Sequence, residues 1–290
     1  MTFYLQTITK TTPPGAAHRR LSRQQLETIL ASLNERDTQV IASVQRFRYL
    51  LTSQLQRLHF TDAATPTAAL RAASRSLKKL RELGLIDHLS RRIGGVRAGS
   101  GAMVWHLTHA GERLIYLHNH TLTPTKRFFE PSPYFLAHTL AVAEVAVQLT
   151  ELCRNNHGMK LSVLQPEPEC WRTYSEYGSV LALKPDLFAV TLSDQYEDRW
   201  FFEVDLETES PAKVVEKCEK YHHYYRSGLE QQASEVFPLT VWIVPTINRK
   251  ERLIAHIREA FGKYPKLFAV ITKDELAHLI RYGGDERMLC

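Results

Sequence analysis

Residues 66–107 read PTAALRAASRSLKKLRELGLIDHLSRRIGGVRAGSGAMVWHL, and the front of the fold is decided there. Leu70, Ala73, Leu77, Leu80 and Leu83 recur every three or four residues, the period of a helix with one apolar face. Pro66 suits its first turn and Gly84 its end. Arg71, Arg75, Lys78 and Lys79 fall on a second face of the same helix. Leu85–Leu89 and Met103–Leu107 then read as two short strands. The segment between them carries four glycines together with Arg91, Arg92 and Arg97, a pliable basic tip.

Working outward, Ser22 can cap a helix to about Leu33 and Asn34 a second one, with Val40, Ile41 and Val44 on its apolar side. Thr52 opens a short third helix with Leu55 and Leu58. Thr108 caps a last one running to about Leu117. Helices, a basic helix, a hairpin with a basic tip and a closing helix give the order of a winged helix-turn-helix over 21–118. Residues 1–20 precede it as a loose leader. In that arrangement Arg71, Arg75, Lys78 and Lys79 enter a major groove, and Arg91, Arg92 and Arg97 reach phosphates of double-stranded DNA.

Charge agrees with this division. Residues 1–125 hold 17 Lys and Arg against 7 Asp and Glu, whereas the remainder holds 20 against 24. A basic front on an acidic back points to a polyanion-binding module joined to something else. The 290 residues are 44% hydrophobic and 23% charged, ample for a sizeable core. No uninterrupted run of about 18 apolar residues is present, so no membrane partner is expected. Met1–Pro14 lacks a basic start followed by an apolar stretch. Cys153, Cys170, Cys218 and Cys290 are widely spaced without a Cys-x-x-Cys pair, as in a reducing, cytoplasmic protein.

Residues 119–132 read as a linker. After it, a helix over Pro133–Cys153, strands at 160–164, 180–192 and 199–206, a helix over 210–227, a strand at 239–245, a helix over 249–261, a strand at 267–272 and a helix over 273–280 give a layered α/β order. Lys184-Pro185-Asp186 lies inside one of these strands and Glu203-Val204-Asp205 on the next. A turn around 193–198 brings Asp186 level with Glu203, and Glu203 and Asp205 share a strand face. Three carboxylates converging would repel one another, and a divalent cation, Mg²⁺ or Mn²⁺, relieves that repulsion. Such an ion can activate water against a phosphodiester. Lys217 or Lys220, with Tyr221 on the following helix, would stand near it. Tyr221, Tyr224 and Tyr225 otherwise read as packing, and His222-His223 as a solvated helix face. Glu144 lies in an apolar stretch and needs either solvent or a partner.

Lys184-Pro185-Asp186, Phe202-Glu203-Val204-Asp205, Glu207-Thr208-Glu209 and Lys217-x-x-x-Tyr221 resemble the replication-relaxation family of plasmid and integrative-element proteins. Arg36-Asp37, Leu51-Thr52, Gln54-Leu55, Leu83-Gly84-Leu85-Ile86, Leu107-Thr108-x-x-Gly111 and His138-x-Leu140-Ala141 with Glu144 fit it as well. The resemblance implies a role in plasmid replication and DNA relaxation. It also implies a second domain, 133–290, similar to the PD-(D/E)XK nucleases, a restriction-endonuclease-like α/β core. Asp186 and Glu203 would then be metal ligands and Glu144 a further one. In that superfamily a lysine stands two residues after the second acid. Here Asp205 occupies that place, so Lys217 is the best substitute, with Lys213 and Lys220 behind it; Glu167 or Glu169 could join the site.

The expectation is therefore a DNA-binding protein of mobile-element replication that acts as a metal-dependent endonuclease or nickase through Asp186, Glu203, Asp205, Lys217 and Glu144. The alternative is a non-catalytic origin-binding initiator or regulator whose nuclease-like half is inactive and serves dimerisation or docking of replication or transfer proteins. The missing strand lysine favours the alternative.

Overall fold

The computed structural model describes residues 21–89, 102–119, 130–176, 178–194, 196–262, 267–283 and 288–289. The expected leader, the basic tip with Arg91, Arg92 and Arg97, most of the expected linker, and Cys290 lie outside these residues.

The front half runs α1 (Arg23–Ser32), α2 (Glu35–Phe47), β1 (Leu50–Leu51), α3 (Thr52–His59), α4 (Pro66–Glu82), β2 (Ile86–His88), β3 (Val104–Leu107) and α5 (His109–Asn119). Local chemistry sets the helix starts. Ser22 and Gln25 form a capping box on α1, and the Asn34 side chain accepts from Asp37 N at 2.7 Å on α2. Thr65 caps α4 ahead of Pro66, and Gly84, with φ +75°, ends it in a backbone conformation other residues adopt at a cost. The three strands pair antiparallel in the order β1-β3-β2.

Two motifs far apart in sequence meet as one joint. The Thr108 hydroxyl donates to the Gly84 carbonyl at 2.5 Å, and Gly111 passes so close to Leu85 that an added Cβ would lie 2.0 Å from its carbonyl oxygen. Only glycine permits that approach between α5 and the start of β2.

The second half opens with α6 (Pro133–Arg154) and continues through β4 (Met159–Pro166), β5 (Arg172–Glu176), β6 (Ser179–Leu183), β7 (Leu187–Ser193) and β8 (Glu197–Val204). It ends with α7 (Pro211–Ser227), α8 (Leu229–Ser234), β9 (Leu239–Val244), α9 (Ile247–Phe261), β10 (Phe268–Thr272), a 3-10 turn (Lys273–Glu275) and α10 (Leu276–Tyr282). Among the described residues, β10-β9-β8-β7-β4 form one mixed sheet: β8, β9 and β10 are parallel, β4 and β8 antiparallel to β7.

Alternation along the strands builds three layers. Leu187, Ala189, Trp200, Phe202, Val241 and Ile243 pack with α6 and α10 on one face. Phe188, Val190, Phe201, Trp242 and Val244 pack with α7 and α9 on the other. α6 is long and apolar enough to cross a membrane by length and composition, which qualifies the expectation that no such segment exists; half of its most apolar window is buried in this core.

The expected strand over 180–192 is two strands in two sheets. β6 pairs only with β5, while β7 joins the large sheet, and the break falls at Lys184-Pro185-Asp186. Proline has no N–H for a ladder and restricts the residue before it, so the strand cannot run through.

The halves are not separate bodies on a string. One hydrophobic cluster runs from Leu26, Val40 and Leu77 to Val142, Ala146 and Phe202, and a smaller one joins Tyr49 and Val104 to Leu136 and Leu140. Gln54 of α3 donates to the Leu140 carbonyl of α6 at 3.0 Å. Arg57 of α3 pairs with Glu144 at 2.7 Å and with Glu151.

Candidate functional site

The β7–β8 hairpin pairs Leu187 with Phe202, which brings Asp186 level with Glu203 at the end of the sheet. Asp186 is buried. Its Oδ2 accepts from Val204 N at 2.8 Å, and its Oδ1 lies 3.2 Å from His138 Nε2 on α6. Burial pushes this carboxyl up, but the His138 hydrogen bond, Lys217 and the Val204 N–H outweigh it and hold it below the ordinary carboxylate range. His138 shifts the other way: burial lowers it, yet its bond to Asp186 raises it above an ordinary histidine.

Glu203 is 1% exposed and faces α7. Lys217 Nζ donates to one of its oxygens and the Tyr221 hydroxyl to the other. Burial pushes the Glu203 carboxyl up to about 8 even though Lys217 and Tyr221 both pull it down. Burial also works against the Lys217 ammonium, but attraction to Glu203 and Asp186 keeps it charged well past neutrality. Tyr221 is held neutral by burial and the adjoining Glu203.

Asp186, Glu203 and Lys217 therefore lie near one another: Lys217 is hydrogen-bonded to Glu203, its charge acts on Asp186, and the charge of Asp186 acts on Glu203. Two other expected members do not join them. Asp205 falls one residue beyond β8, and its Oδ2 sits 2.6 Å from Arg249 Nε, in an ion pair whose side chains are 3% and 2% exposed. Arg249 also donates to the Glu209 carbonyl at 2.7 Å, and the other Asp205 oxygen accepts from Glu207 N at 2.8 Å. The convergence of three carboxylates is thus corrected to two. The strand ends at Val204, and a cation on α9 captures the third acid. Glu144 is corrected as well: it is held by Arg57, by Gln54 at 3.2 Å and by Lys273 at 3.6 Å, where α6 meets α3. Burial raises its carboxyl, but Arg57 and Gln54 bring it below the ordinary value. Glu167 and Glu169 are taken up by Arg48 and Arg46.

His138 was visible only as part of a family motif, Tyr221 was marked by its spacing from Lys217 but read on its own as packing, and nothing marked Arg249. An apolar neighbourhood that demands a partner for Glu144 was the one signal for Arg57.

A divalent cation does not fit this arrangement. Each oxygen of Asp186 and Glu203 already faces a donor supplied by the protein. Among the described residues no group of three or more His, Cys, Asp or Glu is placed to hold a metal ion. Cys153, Cys170 and Cys218 are buried, and Cys170 Sγ donates to the Pro185 carbonyl at 2.9 Å.

The second feature is α4. Ala69, Ala73, Leu77 and Leu80 face the core. Leu70 does not; it is 45% exposed beside Arg71, because the buried stripe runs from Ala69 rather than from its neighbour. Arg71, Arg75, Lys78 and Lys79 are all exposed. Lys79 is tied to the buried Asp37 at 2.6 Å, and Lys78 lies 3.8 Å from Glu82. Arg71 and Arg75 have no ion pair among the described residues.

A family model described as replication-relaxation matches residues 41–240. No curated protein and no solved structure matches the chain.

Proposed function

The chain belongs to the replication-relaxation family, and from that premise we propose that it is a DNA-binding protein of mobile-element replication, gripping duplex DNA through α4. The observation that carries this reading is the split of α4 into a buried Ala/Leu face and an exposed face on which Arg71 and Arg75 have no ion pair among the described residues. The order α2, β1, α3, α4, β2, β3 with a β1-β3-β2 sheet supports a winged-helix reading, in which the helix at the place of α4 would lie in the major groove. Arginine forks suit guanine edges and phosphates alike. Lys79, held by Asp37, contributes less than the two arginines.

The second half is read as a nuclease-like scaffold that does not hydrolyse DNA. Its order of helix, strands, helix and strand, with Asp186 and Glu203 at one sheet end, supports the nuclease-like part of that reading. The charges of those acids are answered inside the protein by His138, Lys217 and Tyr221. Supercoiled plasmid incubated with the protein and Mg²⁺ or Mn²⁺ should stay supercoiled, with wild type and Asp186→Ala alike.

One observation favours hydrolysis as a second reading: Lys217 is hydrogen-bonded to Glu203 and its charge acts on Asp186, although it comes from the helix rather than the strand. Metal-dependent nicking by wild type that Asp186→Ala abolishes would establish that reading in place of the scaffold.

A further inference from the structure

A cavity of about 240 Å³ opens along the flank of α7. Lys213, Lys217 and Lys220 recur at i, i+4 and i+7 on that helix and line it together. Lys184 reaches it from the link between β6 and β7, and its ammonium lies 4.5 Å from the centre of the Trp171 ring. Glu209 and Glu216 are the only acids in the lining. Lys217 is already taken by Glu203. Lys184, Lys213 and Lys220 are exposed and have no ion pair among the described residues.

Lys184, Lys213 and Lys220, three ammonium groups from two chain segments without an ion pair among the described residues, outnumber the two carboxylates of the lining, and an anion would answer the excess. Its volume is below the roughly 300–1,000 Å³ usual for pockets that take a whole small molecule. It has room for a phosphate or diphosphate and little for an attached base. Lysine meets phosphate as a point charge and needs no fixed fork.

We propose that this cavity is a phosphate-binding site, occupied by the backbone of nucleic acid. The inference deepens the DNA-binding reading and rests on it only for the source of the phosphate. The shared chemistry, a phosphate or diphosphate, could also come from a free phosphate compound.

The test uses the full chain as wild type, Lys213→Gln/Lys220→Gln and Arg71→Ala/Arg75→Ala. Inorganic pyrophosphate at about ten times a millimolar Kd should raise the melting temperature of wild type by roughly 2–4 °C. Arg71→Ala/Arg75→Ala should keep that rise and Lys213→Gln/Lys220→Gln should lose it. Affinity of Lys213→Gln/Lys220→Gln for duplex DNA should fall on the order of tenfold, with a salt slope shallower by about 1 to 2.

Loss of the pyrophosphate response with unchanged DNA affinity would assign the site to a free phosphate compound. A pyrophosphate response that survives Lys213→Gln/Lys220→Gln, or is absent from wild type, would overturn the site. Failure of the DNA-binding reading would show separately, as unchanged affinity in Arg71→Ala/Arg75→Ala. The substituted lysines are exposed, so the variants should fold as wild type does.

Discussion

Along α4, Arg71 and Arg75 stand in solvent without an ion pair among the described residues, whereas at the end of β8 each acid has been given a cation by the protein itself. The first region is electrostatically unfinished and calls for an external polyanion. The second is finished: Asp186 with His138, Glu203 with Lys217 and Tyr221, Asp205 with Arg249. Acidic residues brought together by a fold therefore do not by themselves make a metal centre. What matters is how many of their oxygens are left unanswered once the neighbouring helices are in place.

The largest effect should come from breaking the most enclosed part of the finished region. Arg249→Ala leaves Asp205 buried without its cation, and stability should fall by about 3–5 kcal/mol in chemical denaturation. A loss under about 1 kcal/mol would mean that Asp205 is free to turn elsewhere, including towards Glu203. Arg57→Ala strips the partner from Glu144 and Glu151, whose side chains are 21% and 27% exposed, and should cost about 1–3 kcal/mol. If thermal unfolding of that variant splits into two transitions, the ion pairs between α3 and α6 are what couple the halves.

The pH dependence sharpens the comparison further. Glu203 titrates at about 8 when folded against an ordinary 4.5. A group raised on folding contributes its stability fully below its unfolded value and loses it as pH rises through the folded one. Wild type should therefore lose stability relative to Glu203→Gln between about pH 4.5 and pH 8, read as a widening gap in melting temperature. A constant gap across that window would show that Glu203 is ionised throughout. His138, also raised, changes in the same direction in both proteins and cancels from the difference. The smallest effect belongs to the surface: Lys78→Ala removes a long, exposed pair with Glu82 and should change stability by less than about 0.5 kcal/mol.

Much of the front half was legible because its signals are local. The apolar period, Pro66 and Gly84 mark α4 within a few residues of itself. Even there the buried stripe was misplaced by one position, since Leu70 is the larger side chain but Ala69 faces the core. The second half was legible in order and less so in pairing. Val180–Leu183 and Leu187–Leu192 read as one strand although Pro185 between them carries no N–H for a ladder, and the partners they find, β5 for one and β4 and β8 for the other, lie in different sheets. Arg172–Glu176 is too polar to read as a strand; what makes it one is β6 beside it.

The acid pair was legible because the hairpin that joins Asp186 and Glu203 is short. Lys217 followed from the helix immediately after. Asp205 was misread because its partner lies 44 residues further along the chain. Glu144 was misread because its partner lies 87 residues earlier. Strand alternation tells which face a side chain takes; it does not tell which distant cation waits there.

The most direct measurement is the affinity for duplex DNA across a salt series, for wild type and Arg71→Ala/Arg75→Ala. The account predicts weaker binding and a slope of log K against log salt that is shallower by about 2 in the variant. Equal affinity and equal slope for the two proteins would contradict it, because α4 would then not be the surface that holds the DNA.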